Sequence, residues 1–375
     1  MPQTAVKAAV FRPNVAAAQM ENLTLGELRD DEVLVRLVAT GVCHTDITCR
    51  DGFMPMPRPI VLGHEGAGKV ERVGKAVKNI GPGDPVVLTF LACGQCVNCR
   101  AGAPSGCHQF MGCNMTGRRT DGSTALSGAQ GEVSGHFFCQ SSFATYSIAK
   151  EASVVKVRAD APLEILGPLG CGIQTGAGSV LNVLQPKAGE SIVIFGAGGV
   201  GLSGLMAAVV AGCNPIVMVE PRAERRALAQ ELGATHVIDP NADGPNAGGR
   251  VLEQLMAITG FGVQHAFDTS GHPDALAAAV AALAPRGRLA LVSLHKLDAV
   301  LPVPLIAAIG KAIMIRGVNM GDSVPQQFIP KLVELIMAGK FPLQKLVKFY
   351  DFDDINQAFE DQDKGRAVKP ILRMS

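Results

Sequence analysis

Four thiols lie close together in the chain, spaced Cys93-x2-Cys96-x2-Cys99-x7-Cys107. Two-residue gaps let a backbone wrap an ion, and the longer gap returns a fourth ligand. Four thiolates complete a tetrahedral shell and leave no place for water or substrate, so this quartet predicts a structural zinc. A disulfide scaffold does not suit a chain without export signals. An iron–sulfur cluster uses related spacings but usually has a proline after the last cysteine, where this chain has His108. A second constellation is Cys43-His44-Thr45-Asp46 with Gly63-His64-Glu65, joined far along the chain by Cys171. Cys43, His64 and Cys171 would give zinc two thiolates, an imidazole and one open position, which is a catalytic arrangement. Spacing alone leaves alternatives open. A buried cysteine is usually only buried, and a lone histidine is more often a hydrogen-bonded core residue than a ligand.

A third motif is Gly196-Ala197-Gly198-Gly199-Val200-Gly201, which contains G-x-G-x-x-G between a predicted strand and a predicted helix. Gly196 would make the tight turn, Gly198 would admit a pyrophosphate to the backbone, and Gly201 would let helix pack on strand. Glu220 closes the next predicted strand. A carboxylate there can accept from both adenosine ribose hydroxyls and repel a 2′-phosphate, which predicts NAD rather than NADP. Arg222, Arg225 and Arg226 stand nearby and pull the other way.

Two kinds of element must hold these motifs. The first 170 residues or so are rich in strands and turns, with candidate strands at 33–39, 67–77 and 84–91. They predict a barrel-like, largely antiparallel domain. The Gly/Ser/Thr-rich stretch from Cys113 to Gln140 reads as an ordered surface loop or lid. From about Gln174 strands and helices alternate. Candidate strands at 191–196, 215–220, 235–239, 263–269, 287–293 and 312–316 predict a doubly wound parallel sheet. The expected division is α/β: residues 1–173, a Rossmann domain over 174–315, and a return to the first domain over 316–375.

Composition limits the function. Hydrophobic residues make up 47% and charged residues 18% of 375 residues, which sustains large cores. The net charge of +1 disfavours nucleic acid or an anionic membrane as partner. Residues 191–219 carry no charge, but their glycines and Pro215 fit a buried strand–turn–helix–strand better than a membrane span. No secretory signal is evident, and the expected compartment is the cytoplasm. Ten cysteines there are free thiols or metal ligands.

Gly63-His64-Glu65-x2-Gly68-x5-Gly74-x2-Val77 resembles the zinc signature of medium-chain zinc-dependent alcohol dehydrogenases. The Gly41–Asp46 stretch, the cysteine quartet, Gly170-Cys171-Gly172 and the glycine turn follow in that family's order, so the resemblance spans essentially the whole chain. Within the family it looks closest to bacterial aryl (benzyl) alcohol dehydrogenases, on 49–53, 166–176, 321–325, 338–342 and 369–372. Relatives acting on allylic terpene alcohols such as geraniol share these stretches. The resemblance implies a GroES-like catalytic domain, two zinc ions per chain, NAD, and a homodimer or homotetramer. Cys2His with an open position is the known catalytic set of alcohol dehydrogenases.

The same resemblance assigns roles. Zinc would acidify the bound alcohol, Thr45 would take its proton, Asp46 would orient His64, and Glu65 would stand behind the metal. His44 and Lys369 would face the cofactor pyrophosphate. Thr175 and Val200 would pack on the nicotinamide, with Gly199 in the turn and Arg225 beside the adenosine ribose. Met54, Phe90, Phe137, Phe138 and Leu294 would line an apolar substrate channel. One position departs. Many members carry a relay histidine five residues after the first ligand cysteine, where this chain has Thr48. The proton is then expected to leave by another route, through the cofactor ribose or His44.

The expected activity is NAD-dependent, reversible oxidation of primary aromatic or allylic alcohols to aldehydes. Glutathione-dependent formaldehyde dehydrogenase and geraniol or perillyl alcohol dehydrogenase are the alternatives. The first of these needs cations to hold carboxylates, and Arg118 and Arg119 are the obvious candidates. A zinc-ribbon nucleic-acid binder lacks its basic–aromatic interleaving.

Overall fold

In a computed structural model of the chain, the described residues are 4–242, 247–293 and 300–374. They form two compact units. One comprises residues up to Gly172, then Val324–Ala338 and Leu343 onward; the other comprises Ile173–Ser323 with Gly339–Pro342.

The first unit is built on two sheets. The strand Glu32–Gly41 is the axis of the larger one: it pairs antiparallel with Gly66–Val73, Tyr146–Lys150 and Lys369–Arg373. Beyond these come Pro85–Leu88 and Val154–Lys156 on one side and Val347–Asp351 on the other. Val33, Val35 and Leu37 face a core with Val70, Val86, Leu88 and Ala149. Leu34 is buried as well, so this strand is covered on both faces rather than half-exposed. The axial strand ends at Gly41, directly before Cys43, and the Gly66–Val73 strand begins directly after His64 and Glu65. The sheet thereby brings one end of each ligand-bearing segment together. The closing strand delivers Lys369 to the same end, with Ile371 opposite Gly41.

The second sheet has the order Ile60–Val61, Thr4–Phe11, Gln19–Leu25, Leu126–Gly128, Gly131–Val133. Its last two strands come from the stretch expected to be a loop or lid. That expectation is corrected: 113–140 contains a hairpin extending a sheet, and it ends in a 3-10 turn at Phe137–Cys139. Three-residue strands with glycine at Gly128 and Gly131 carry too little alternation to be read from sequence.

The second unit holds a six-stranded, all-parallel sheet in the order His236–Ile238, Ile216–Val219, Ile192–Phe195, Val263–Asp268, Leu283–Leu291, Met314–Gly317. This is the doubly wound order, with its switch point between the first and fourth strands. The uncharged stretch 191–219 is a buried strand, the helix Gly199–Ala211 and a second buried strand. No helix among the described residues is long and apolar enough to cross a membrane. This unit runs beyond the expected boundary at residue 315. Asn182 Nδ2 donates to the Gly321 carbonyl at 3.0 Å, and Ser323 Oγ donates to Gln174 at 2.7 Å. Those bonds keep 316–323 on the nucleotide-type fold.

Candidate active site

Cys43 caps the N-terminus of the short helix His44–Arg50, with extended backbone angles. Asp46, in the first turn, folds back on it. Its Oδ2 accepts from the Cys43 amide at 3.0 Å, the reciprocal half of a capping box. Its Oδ1 accepts from the Gly63 amide at 3.1 Å and lies 3.0 Å from His64 Nδ1. One fully buried carboxylate therefore joins the two ligand segments and makes Nδ1 the protonated nitrogen of His64. Gly63 sits at φ +89°, and a Cβ there would meet the Phe143 amide nitrogen at 2.5 Å, so only glycine turns the chain here.

The consequence is a buried imidazole nitrogen with nothing to bond. His64 Nε2 has no hydrogen-bond partner. Ligand atoms of Cys43, His64, Glu65 and Cys171 all lie within 4.8 Å of one another, and all four residues are buried. A buried orphan acceptor facing two thiols is costly without a cation and satisfied by one. The donor set fits zinc. The thiols are electrically unlike: the hydrogen bond between them draws Cys43 well down, against its burial, and pushes Cys171 well up. Burial opposes a proton on His64, but Asp46 and the Cys43 sulfur outweigh it and raise its pKa.

Glu65 stands at the back of this set. Its oxygens lie 3.0 and 2.9 Å from Lys369 Nζ, which also donates to the Val42 carbonyl at 3.2 Å. The Gly172 amide donates to Glu65 Oε1 at 3.3 Å. A Cβ at Gly41 would come within 2.1 Å of Glu65 Oε2, so the absence of a side chain there makes room for the carboxylate. Burial lifts the Glu65 carboxyl to about 7, against the pull of Lys369. Lys369, expected to face the cofactor pyrophosphate, is buried and bound to Glu65 and Val42. The pairing spans 304 residues of sequence and left no local signal.

The remaining catalytic candidates sit on the same helix. Thr45 is half-buried, with Oγ1 3.8 Å from Cys43 Sγ. Thr48 Oγ1 donates to the Thr45 carbonyl at 2.9 Å, so its hydroxyl proton is committed to the backbone. Met54 Sδ lies 3.7 Å from that hydroxyl. His44 is exposed at the helix start. Phe90 is buried, 5.5 Å from the Phe110 ring centroid. Phe137 and Phe138 are buried against His64 itself: Phe138 stacks on the imidazole at 4.5 Å, and Phe137 meets it edge-on at 5.4 Å. Leu294 lies outside the described residues.

The quartet is also assembled. Cys93, Cys96, Cys99 and Cys107 bring their sulfurs within 4.8 Å of one another, and none is in a disulfide. Amides of Cys93 and Gln109 each donate to Cys107 Sγ at 3.3 Å. Amides of Cys99 and His108 hold the Cys96 thiol down to about 6, while burial pushes Cys99 up to about 12. These preorganised amides favour thiolates and suit a closed metal site.

In the second unit the glycine turn follows the strand Ile192–Phe195. Gly196 has φ +93°, and a Cβ on Gly201 would strike the Gly196 carbonyl at 1.8 Å. Gly198 caps the helix Gly199–Ala211 and has open space where a side chain would go. Its neighbours Gly199 and Val200 form the first helical turn, whose free amides suit a phosphate. A cavity of about 480 Å³ beside the turn is lined by Gly196, Gly198, Glu220, Arg222, Arg225 and His272, among others. Buried Glu220 accepts from the Ala197 amide at 2.7 Å and the Arg222 amide at 3.0 Å. Arg226 is drawn off to Asp239 at 2.9 Å. Thr175 is half-buried in the helix Gly172–Gly178.

Comparison with known proteins agrees with this construction. The family described as alcohol dehydrogenase GroES-like domain matches residues 29–159, and zinc-binding dehydrogenase matches residues 199–338. The chain is 47% identical to the geraniol dehydrogenase of Castellaniella defragrans, over 98% of this chain and 97% of that protein. Benzyl alcohol dehydrogenase from Acinetobacter calcoaceticus superposes with a TM-score of 0.94 at 43% identity, covering 99% of this chain and all of that one. An alcohol dehydrogenase zinc-binding domain protein from Burkholderia ambifaria gives 0.96 at 47%, with both chains fully covered. The chain belongs to the zinc-dependent medium-chain alcohol dehydrogenase family. It is an enzyme of alcohol oxidation whose cofactors are zinc and a nicotinamide dinucleotide.

Proposed function

We propose that the protein catalyses the reversible oxidation of primary aromatic or allylic alcohols to aldehydes with NAD. The observation that carries the chemistry is the unpartnered His64 Nε2 facing Cys43 and Cys171. Those three residues would hold the catalytic zinc, and the cysteine quartet the structural one. Bound in these places, zinc supplies a Lewis acid that makes an alcohol hydroxyl acidic, and the nicotinamide supplies the hydride acceptor. Thr45, whose hydroxyl lies beside Cys43, takes the alcohol proton. Asp46 keeps the His64 lone pair on Nε2, and Glu65 with Lys369 keeps a buried, paired charge behind the set.

Glu220 in the adenosine-sized cavity supports NAD over NADP, since a 2′-phosphate there would meet a buried carboxylate. The substrate class is supported by relatives named for geraniol and benzyl alcohol, which share a hydroxymethyl carbon next to a π system. The formaldehyde reading loses one of its two cations. Arg119 is paired with buried Glu32 at 2.6 Å, which supports the aryl or allylic reading, while Arg118 makes only a surface pair with Glu132.

Initial rates with benzyl, cinnamyl and geranyl alcohols, each with NAD and NADP, test the proposal. The expected result is a higher kcat/KM with NAD and with one of these alcohols than with ethanol or hydroxymethylglutathione. Preference for hydroxymethylglutathione would reverse it. Metal analysis is expected to find two zinc ions per chain. We further infer a cytoplasmic, homo-oligomeric enzyme, consistent with ten free cysteines and an exposed apolar helix.

A further inference from the structure

The segment from His136 to Ser141 is strained. Four of its six residues are non-glycine and left-handed: His136 at φ +61°, Phe138 at +48°, Cys139 at +57° and Ser141 at +51°. Glycine would take these angles freely, whereas each side chain with a Cβ opposes them. Such clusters persist only where surrounding bonds over-determine them, and they concentrate at functional sites.

Several of the surrounding bonds lead to one place. Ser141 Oγ accepts from the Phe137 amide at 2.9 Å and donates to the Val61 carbonyl at 2.6 Å. Gln140 Nε2 donates to the His64 carbonyl at 3.0 Å, and its Oε1 accepts from the Gly66 amide at 3.1 Å. The Ser142 amide donates to Gly63 and the Phe143 amide to Leu62, at 2.9 and 3.1 Å. The strap is thus laced to residues 61–66, the stretch carrying His64.

Its side chains finish the task. The Phe138 ring lies nearly parallel to the imidazole, at an interplanar angle of 24°, and the Phe137 ring stands at 86°. Asp46 fixes only the Nδ1 edge of His64. A ring held at one edge can still tilt about that bond, and a stacked ring removes the tilt. Phe138 reaches this stack from a left-handed backbone.

We propose that Phe138 and Gln140, carried on the left-handed strap His136–Ser141, are positioning residues that fix the His64 imidazole for metal binding. Gln140 sets the backbone of His64 and Phe138 sets the plane of its ring. This rests on Cys43, His64 and Cys171 being the catalytic metal set.

The test uses the full-length enzyme with cobalt(II) replacing zinc in that set. It compares the visible absorption bands, the rate of cobalt release to a chelator, and the rate of zinc release from the cysteine quartet. In Phe138→Leu and Gln140→Leu the cobalt bands shift and cobalt leaves at least about tenfold faster, while quartet zinc leaves at the parent rate. Phe138→Tyr, which keeps the ring, stays within about twofold of the parent by the same reasoning. Unchanged bands and release in both leucine variants would overturn the proposal. So would equal acceleration at both metal sites, which marks general loosening, or a tyrosine variant as impaired as the leucine one. A parent that binds no cobalt through Cys43, His64 and Cys171 removes the underlying functional reading instead.

Discussion

Lys369 and Glu65 form a buried ion pair one residue from a metal ligand, with side chains 4% and 0% exposed. Removing one partner of such a pair strands a charge, whereas removing both does not. Lys369→Met is therefore expected to lower stability by about 3–5 kcal/mol in urea unfolding, and the double variant with Glu65→Leu to recover much of that loss. If the single variant is as stable as the parent, the pair is not what holds Glu65 charged. Thr48 permits a kinetic prediction. Its hydroxyl is bonded to the Thr45 carbonyl, so the parent already works without a relay there. Thr48→His is expected to be no faster in hydride transfer near neutral pH. A gain of about tenfold or more would show that proton exit limits the parent. At this scale the sequence was informative where partners are near in sequence. Cys43, Asp46 and His64 lie within 22 residues, and their spacing carries the chemistry. The pairing of Lys369 with Glu65 was not legible, because the two lie about three hundred residues apart in sequence.

At the scale of elements, the strap His136–Ser141 also carries a titration. Burial, then Arg119 and Arg29, push the His136 imidazole down to about 3. A histidine with a folded pKa below its unfolded value binds its proton more readily when unfolded. Its stabilising contribution is whole above pH 6.5 and is lost as the pH falls toward about 3. Between pH 8 and pH 5 this group alone costs about 2 kcal/mol. His136→Asn, which tolerates a left-handed backbone and does not titrate, is expected to flatten that part of the curve. Urea midpoints at the two pH values check it; an unchanged slope would mean that His136 is accessible to protons when folded. The rings give this element a longer reach. Phe138 contacts Phe110 at 6.3 Å, and the Phe110 amide donates to the Cys107 carbonyl, so the quartet lobe touches the ring that covers His64. None of this was legible from composition. A Gly/Ser/Thr-rich stretch reads as a surface loop, and left-handed phenylalanine and cysteine have no sequence signature. The strands Ile192–Phe195 and Ile216–Val219 of the nucleotide-type sheet were the most legible, because each is a short buried run rich in β-branched residues beside glycine or proline.

At the scale of the whole molecule, the strand Met314–Gly317 is the edge of its sheet, and no described strand pairs on its outer side. The helix before it, Leu305–Lys311, exposes Leu305, Ile306 and Ile309 at 74%, 88% and 79%, and Met314 follows at 55%. Isolated apolar residues on a surface need no explanation, but four in ten residues beside an open sheet edge do. An edge offers unpaired amides and carbonyls, and it is dangerous unless charged, bulged or covered. Lys311 does not guard it, since its Nζ is drawn inward to the Ala281 and Leu283 carbonyls at 3.1 and 2.8 Å. The proposed homo-oligomer would seat a second copy of the chain here: a two-fold axis sets the same apolar helix face and the same edge against themselves, and it closes. The double variant Ile306→Lys/Ile309→Lys places four like charges in such a contact. It is expected to halve the mass in light scattering while leaving the far-ultraviolet dichroism intact. An unchanged mass would show that this face is not the interface, and a parent that is monomeric at micromolar concentration would show that the edge stays open.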